Sequence, residues 1–266
     1  PKFSPDGRYV YFASRDGWIS KFDIWNLQVV SEVRAGINTR NAAVSADGRY
    51  VAVANYLPGN LAIFDADLRL IKLIEGRNLK GDQRSRLSAV YDAGPRRSFI
   101  VGLKDLPEIW ELSYDPAAPA FHDGYVHDYK MGEAIATPGY LNPRRTALAQ
   151  ALDDFFFTQD YANVVGASRD GQGQVINLDV RRAIAGLDLP GMPHLGSGIS
   201  WLRDGQRVVA STNLKDAQVS VIRMSDWQTV ATIPTLGPGF FLRSHENSPY
   251  AWVDSMMSPT ARDTLQ

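Results

Sequence analysis

The 266-residue chain contains no cysteine. Disulfide bonds, thiolate chemistry, iron–sulfur clusters and the covalent attachment of a c-type haem are therefore excluded within these residues. No run of 18 apolar residues is present that could span a membrane. The net charge of -1 gives no broad attraction for nucleic acid or anionic lipid, so a basic site would have to arise from a local grouping of side chains.

Long stripes of apolar residues at helical spacing are also lacking, which argues against a two-domain α/β protein. The chain instead repeats itself. The segment "FSPDGRYVYFASRDGWISKFDI" from Phe3 matches "VSADGRYVAVANYLPGNLAIFDA" from Val44 almost residue for residue. Weaker copies begin at Tyr91, Thr158, Trp201 and Ser244, and the spacing of the turn glycines Gly7, Gly48, Gly94 and Gly205 indicates a period in the low forties, with an insertion at 115–157. This is the period of a propeller blade.

Each copy contains a short strand, a tight turn such as Asp-Gly, an apolar strand, a polar loop and two further strands. The sequence therefore predicts an all-β fold, a β-propeller of four-stranded antiparallel blades in which residues 1–266 supply about six blades. An open ring would leave strand edges unpaired, so we expect the domain to be incomplete, with further blades outside these residues.

The repeat places the loop after the second strand and the connection to the next blade at the same end of each blade. The basic and polar side chains predicted in these loops are Arg15, Arg40, Asn55, Tyr56, Arg84, Arg86, Lys104, Arg169, Asn213 and His194. A nearly neutral chain thus gathers cations at one opening, which predicts a ligand with several negative charges. Each cation taken singly is also explained as a solvated surface charge, and only their shared position in the repeat favours a site.

His194 lies in "GMPHLGSG", a segment with few other side chains. Pro193 fixes the backbone, and the glycines at 191, 196 and 198 would let it approach a bulky partner closely, so we expect the imidazole to project into the opening.

The remaining histidines carry less information. His122 and His127 lie in the insertion with too few other ligands for a metal site, and we predict no metal centre formed by this chain. His245 occupies the turn position of Ser4 and Ser45, where capping of the turn explains it as well as catalysis does.

The segments "FSPDGRYVYFASRDGWISKFDIWNL", "ANYLPG", "SRLSAVY", "GLKDLPEIWELSY" and "GMPHLGSGISW" together resemble the haem d1 domain family. That family comprises eight-bladed propellers such as cytochrome cd1 nitrite reductase and its relatives in haem d1 biosynthesis, and the likeness is strongest to the NirN-type dihydro-haem d1 dehydrogenases. The resemblance implies a haem d1-binding domain of a periplasmic protein, with haem c in a separate N-terminal domain.

In the family, arginines of the first blade connections pair with the carboxylates of haem d1. Arg40 and Arg86 match those positions, and Arg15, Lys104 and Tyr114 lie in segments that match the pocket lining. His194 stands where the nitrite reductases have one of two distal histidines. The second should fall near Leu152–Asp154, where this chain has "LDD", so the resemblance does not extend to the two proton donors of nitrite reduction.

The resemblance accordingly implies an oxidoreductase that dehydrogenates a propionate of dihydro-haem d1 to acrylate and passes electrons to a cytochrome. His194 is the expected acid/base, Asp153 and Asp154 could replace or assist it, and His245 is a reserve candidate. The alternatives are a nitrite reductase domain and a non-catalytic propeller that carries haem d1 or docks other proteins, including haem d1 biosynthesis enzymes or the nitrite reductase itself.

Overall fold

The structure is a computed structural model that describes residues 1–123, 136–168 and 171–266. Within these residues the chain forms β-strands and one 3-10 turn at Gly94–Arg96, with no helix long and apolar enough to cross a bilayer. The chain divides into two compact units, Pro1–Ala151 and Leu152–Gln266, and each is described by itself.

The first unit holds three four-stranded antiparallel sheets, each built from strands consecutive in the chain. The first sheet consists of β1 (Lys2–Phe3), β2 (Tyr9–Ala13), β3 (Trp18–Asp23) and β4 (Gln28–Arg34). The second consists of β5 (Asn38–Val44), β6 (Tyr50–Leu57), β7 (Asn60–Asp65) and β8 (Leu70–Glu75). The third consists of β9 (Leu87–Ala93), β10 (Ser98–Leu103), β11 (Glu108–Ser113) and β12 (Arg144–Ala147).

The second unit holds two such sheets and a strand pair. The fourth sheet consists of β13 (Asp154–Phe157), β14 (Asn163–Ala167), β15 (Gln172–Asn177) and β16 (Arg182–Asp188). The fifth consists of β17 (Pro193–Arg203), β18 (Gln206–Asn213), β19 (Gln218–Arg223) and β20 (Thr229–Pro234). The pair consists of β21 (Leu242–Ser244) and β22 (Ala251–Val253). The predicted all-β class with four-stranded antiparallel blades is confirmed. The predicted insertion at 115–157 covers the connection between β11 and β12 and also contains the strands β12 and β13 themselves.

The tight turns between first and second strands follow the predicted chemistry. Gly7 and Gly48 adopt φ of +70° and +71°, a region that glycine enters without steric cost. The Gly7 amide donates to the Ser4 carbonyl, and Gly48 donates to Ser45 in the same way. The turn residues therefore set the register of the hairpins that follow them.

The second strand of a sheet is buried on both faces. In β6, Val51 and Val53 pack into the core shared with the first sheet, whereas Ala52 and Ala54 pack into the core shared with the third. Successive residues of a strand point to opposite faces, so a strand between two neighbouring sheets needs apolar residues at every position. This explains the uninterrupted apolar run "YVAVA" at 50–54.

Candidate functional site

The central feature of the first unit is an ion pair between two connecting loops. The Arg86 guanidinium donates through Nε to Asp105 Oδ2 at 2.9 Å and through Nη2 to Oδ1 at 2.6 Å. The backbone N–H of Arg86 donates to the same carboxylate at 2.9 Å. These bonds hold the pKa of the Asp105 carboxyl below its usual value, although partial burial acts in the opposite direction. Arg86 is 46% exposed and its face lies over the Tyr56 ring, 5.3 Å from the centroid.

Arg86 forms part of the lining of a cavity of about 500 Å³ in this unit. Three predicted binding residues, Tyr56, Arg84 and Arg86, line it together, and so does Arg77, which sequence reasoning missed. Arg77 lies two residues after β8, at the start of the connection in which the sequence predicted only Arg84 and Arg86 as binding residues. With Glu75 and Asp105 as the carboxylates, the lining has three guanidinium groups against two carboxylates. The cavity therefore has a net positive lining that suits an anionic ligand.

Arg40 reaches its position through an irregularity of β5. The pairing of β5 with β6 shifts between Thr39 and Asn41, which leaves Arg40 as an extra residue without a partner in the ladder. Such a bulge re-aims a side chain relative to the regular pleat. Arg40 is half-buried, and among the described residues no hydrogen bond or ion pair engages its guanidinium. Arg15 is exposed in the turn between β2 and β3.

Asn55 and Asn213, predicted in loops, lie within the strands β6 and β18. Both residues are buried, with 0% and 2% of their surface exposed. Asn55 Nδ2 donates to the Ala35 carbonyl at 2.9 Å, and Asn213 Nδ2 likewise donates to the Pro190 carbonyl. Because a buried amide must be hydrogen-bonded, these residues hold the connection from the preceding sheet in place.

Tyr114, which the resemblance placed in the pocket lining, is not among the residues that line this cavity. Tyr114 follows the end of β11, at the opposite end of that strand from Asp105, and is 1% exposed. Its hydroxyl donates to Asp92 Oδ1 at 2.9 Å. Burial raises the pKa of Asp92 to about 6, and the Tyr114 hydroxyl partly offsets this. Lys104 does lie beside the ion pair, since its amide donates to the Arg86 carbonyl.

The second unit places His194 beside a carboxylate. His194 Nε2 lies 3.4 Å from Asp154 Oδ2, and the two side chains are only 13% and 17% exposed. On the other edge of the ring, Nδ1 lies 3.1 Å from Ser197 Oγ. The imidazole packs on the Phe240 ring at a centroid distance of 4.1 Å. Both edges and one face of the imidazole are thus in contact with neighbouring groups, so its orientation is fixed.

The glycines around His194 have a different purpose from the predicted one. A Cβ on Gly196 would lie 2.0 Å from Asp154 Oδ2, and the three nearest atoms all belong to that carboxylate. A Cβ on Gly191 would meet the side chains of Asp216 and Asn213 within 2.7 Å. Gly191 and Gly196 therefore make room for side chains of the same unit, whereas a Cβ on Gly198 would meet the carbonyls of Leu195 and Ala210 at 3.1 and 3.2 Å. The bulge of β17 between His194 and Ile199 brings this segment into place.

The other predicted acid/base candidates lie in less suitable places. Asp153 precedes β13, is half-buried, and its amide donates to the Ala167 carbonyl. His245 is exposed in the turn after β21, where its Nδ1 accepts from the Asn247 amide at 3.1 Å. This geometry agrees with the turn-capping alternative and puts His245 at the end of β21 away from Phe240. Arg169 and His127 lie outside the described residues.

Two neighbours of His194, Ser197 and Phe240, were not anticipated from the sequence. Phe240 lies just before β21, in the connection from β20, whereas His194 is the second residue of β17. A search of every such connection for aromatic as well as charged residues would have found it. Nothing in the spacing of Ser197 within "GSG" indicates its contact with an imidazole.

Comparison with known proteins adds a family and close relatives. The profile of the family "Cytochrome D1 heme domain" matches residues 1–266. Dihydro-heme d1 dehydrogenase of Pseudomonas aeruginosa is 51% identical over 259 residues, 97% of this chain and 48% of that protein. Protein NirF of the same organism is 29% identical, covering 95% of this chain and 62% of that protein.

A solved structure of dihydro-heme d1 dehydrogenase NirN in complex with DHE aligns with 98% of this chain and 52% of that one, at 50% identity and a TM-score of 0.86. The chain spans about half to three fifths of the length of these relatives.

Proposed function

Because this chain belongs to the cytochrome D1 heme domain family, we propose that it is the tetrapyrrole-binding domain of a dihydro-haem d1 dehydrogenase. The observation that carries the proposal is the largely buried imidazole of His194 beside the Asp154 carboxylate, in a chain half identical to an enzyme of that name. The substrate is dihydro-haem d1, and the reaction converts one propionate side chain to acrylate.

The reaction breaks two C–H bonds, forms one C=C bond and releases two protons and two electrons. The tetrapyrrole substrate would release the two electrons through its conjugated ring. A c-type haem, which the resemblance implies in a separate domain, would supply the oxidant that accepts them. His194 accepts one proton as the general base, since an imidazole titrates near neutral pH, and the second proton passes to solvent.

The arginines of the first unit hold the carboxylates of the tetrapyrrole. Their donor chemistry fits that task, because planar guanidinium groups bind carboxylates through two parallel hydrogen bonds. Arg40 is available as it stands, whereas Arg86 exchanges Asp105 for a ligand carboxylate. Arg84 and Tyr56 line the same cavity as Arg86 and complete its contact surface. Arg15 and Lys104 remain predicted members of this site.

Nitrite reduction is disfavoured by the same pair of residues. That reaction uses two proton donors at the iron, and this chain has "LDD" at 152–154, where the resemblance places the second distal histidine. Assay of nitric oxide production by the anaerobic full-length holoprotein separates the two activities.

The experiment that tests the proposal follows the mass of the tetrapyrrole. Dihydro-haem d1 incubated with oxidised full-length protein should lose two hydrogens, and His194→Ala should abolish this loss while tetrapyrrole binding persists. Thr229→Ala, at an exposed position of β20, serves as the control. A tetrapyrrole returned with unchanged mass would identify a carrier instead, and full turnover by His194→Ala would remove His194 from the mechanism.

We further propose a periplasmic location, where c-type cytochromes accept the electrons. Cell fractionation with antibody detection of the full-length protein tests it.

A further inference from the structure

The backbone around the cavity of the first unit is held by two hydrogen bonds. The Gly76 amide donates to the Gly59 carbonyl at 2.8 Å, and the Ser85 amide donates to the Gly76 carbonyl at the same distance. The segments approach closely, because a Cβ on Gly59 would lie 2.4 Å from the Ser85 carbonyl oxygen. Each of the three cavity arginines is the chain neighbour of Gly76 or Ser85. Their backbone positions are therefore fixed, and what distinguishes the three is the contacts of their side chains.

The three guanidinium groups differ in their partners. Arg77 donates to Glu75 through Nε and to a backbone carbonyl through Nη1, so it belongs to the structure of its loop. Within the ranges that the structure describes, no hydrogen bond or ion pair engages the exposed guanidinium of Arg84. The Arg86 guanidinium makes its hydrogen bonds to one side chain, that of Asp105. Arg84 can therefore receive a ligand carboxylate directly, whereas the availability of Arg86 depends on Asp105.

Asp105 is anchored by contacts that do not involve the guanidinium. Its backbone N–H donates to Ser85 Oγ at 2.9 Å, and its Oδ2 accepts from the backbone N–H of Arg86 at 2.9 Å. The guanidinium has a separate support, since it lies over the Tyr56 ring. If the guanidinium turns to a ligand, the carboxylate keeps its bond to the backbone and also meets water, because the Asp105 side chain is 35% exposed. Opening this pair leaves no buried charge without a partner, so its free-energy cost is small.

We propose that Asp105 is an internal competitor for the ligand carboxylate at Arg86, and that it promotes release of the tetrapyrrole after each turnover. The inference rests on the proposed function and deepens it. A ligand carboxylate that binds Arg86 breaks one ion pair to form another, so its net gain at this residue is small. When the ligand leaves, the Arg86–Asp105 pair forms again and offsets the contact that is lost. Such a competitor suits a protein whose tetrapyrrole is a substrate to be released, rather than a cofactor to be retained.

The opposite arrangement, in which Asp105 holds Arg86 ready for a ligand, predicts the opposite effect on affinity. The structure favours competition for two reasons. Asp105 accepts from Nε and Nη2 together, which is the two-pronged contact that a ligand carboxylate would itself make. The Tyr56 ring supports the guanidinium from one face, so the orientation of Arg86 does not depend on Asp105 alone.

The first test measures binding of dihydro-haem d1 to the full-length protein by absorbance titration, and its release by stopped-flow absorbance after mixing with excess serum albumin. Asp105→Asn still accepts from the Arg86 amide but loses the charge. It should bind about fivefold more tightly than the parent, as expected for removal of a partly exposed ion pair, and should release more slowly. Asp105→Ala should change both in the same direction. Asp115→Asn, which removes the carboxylate paired with Arg97 near the opposite end of β11, should leave both unchanged.

The second test shows whether Asp105 acts through Arg86. In an Arg86→Ala background there is no guanidinium to compete for, so adding Asp105→Asn should change the affinity by less than about 1.5-fold. Unchanged or weaker binding by Asp105→Asn in the parent background would overturn the inference, and so would an equal gain in both backgrounds, which a general effect of charge would give. A parent protein that bound no dihydro-haem d1 would remove the proposed function and this inference together. Normal conversion with an Asp105 effect of the wrong sign would remove this inference alone.

Discussion

Replacement of Asn55 by alanine tests how the connections between sheets are held. The Asn55 amide makes three buried hydrogen bonds: Nδ2 donates to the Ala35 carbonyl at 2.9 Å and to Asn60 Oδ1 at 2.8 Å, and Oδ1 accepts from Thr39 at 2.9 Å. Alanine at this position removes all three hydrogen bonds and leaves the groups that bonded to Asn55 buried without a hydrogen-bond partner at that point. At about 1 kcal/mol for each bond, Asn55→Ala should lower the free energy of unfolding by about 3 kcal/mol.

The assay is urea unfolding followed by far-UV circular dichroism. Thr39→Val removes only the bond to Oδ1 and should cost about 1 kcal/mol, so the two variants form a graded pair. Lys80→Ala, on an exposed loop of the same unit, should stay within about 0.5 kcal/mol of the parent. An Asn55→Ala protein as stable as the Lys80→Ala control would refute the assignment of Asn55 as an anchor.

Three further predictions follow from other contacts. Gly36→Ala should destabilise the chain about as much as Asn55→Ala in the same urea assay, because its Cβ would lie 2.5 Å from Asn55 Oδ1. Burial raises the pKa of Asp92 to about 6, so between pH 4 and 6 the folded chain holds a proton that the unfolded chain releases. The stability that this group contributes is therefore present at low pH and is lost as the pH rises through 6. Thermal melts of Asp92→Asn should lack that decline. Arg86→Lys keeps the charge and loses the two-pronged contact, so tetrapyrrole affinity measured by absorbance titration should fall about tenfold, whereas Arg97→Lys, an exposed residue paired with Asp115, should bind normally.

The fold was predictable because its signals are local. The Asp-Gly turns at Gly7 and Gly48 and the apolar run of β6 act over a few residues, and repetition of the same pattern along the chain identifies the sheets. The limits of β6 were not predictable from that pattern. The strand continues to Leu57 and includes Asn55 and Tyr56. A polar residue is tolerated at position 55 because its buried amide is hydrogen-bonded, for example to the Ala35 carbonyl.

The site was predictable only in part, for a physical reason. Shared repeat position correctly brought Tyr56, Arg84 and Arg86 to one cavity. It could not show that Tyr114 lies at the far end of its strand, since a resemblance of segments does not say which end of a blade a residue reaches. Nor could it show the contact of Asp154 with His194, which depends on a bulge and on the space left by a glycine.

The space left by Gly196 constrains how positions 154 and 196 are able to change in evolution. A methyl group at 196 and a carboxylate at 154 compete for one volume, so neither position is able to mutate freely while the other stays as it is. Sequences that share this domain should vary at the two sites in concert, and a lineage with a bulkier residue at 196 should have exchanged its aspartate as well.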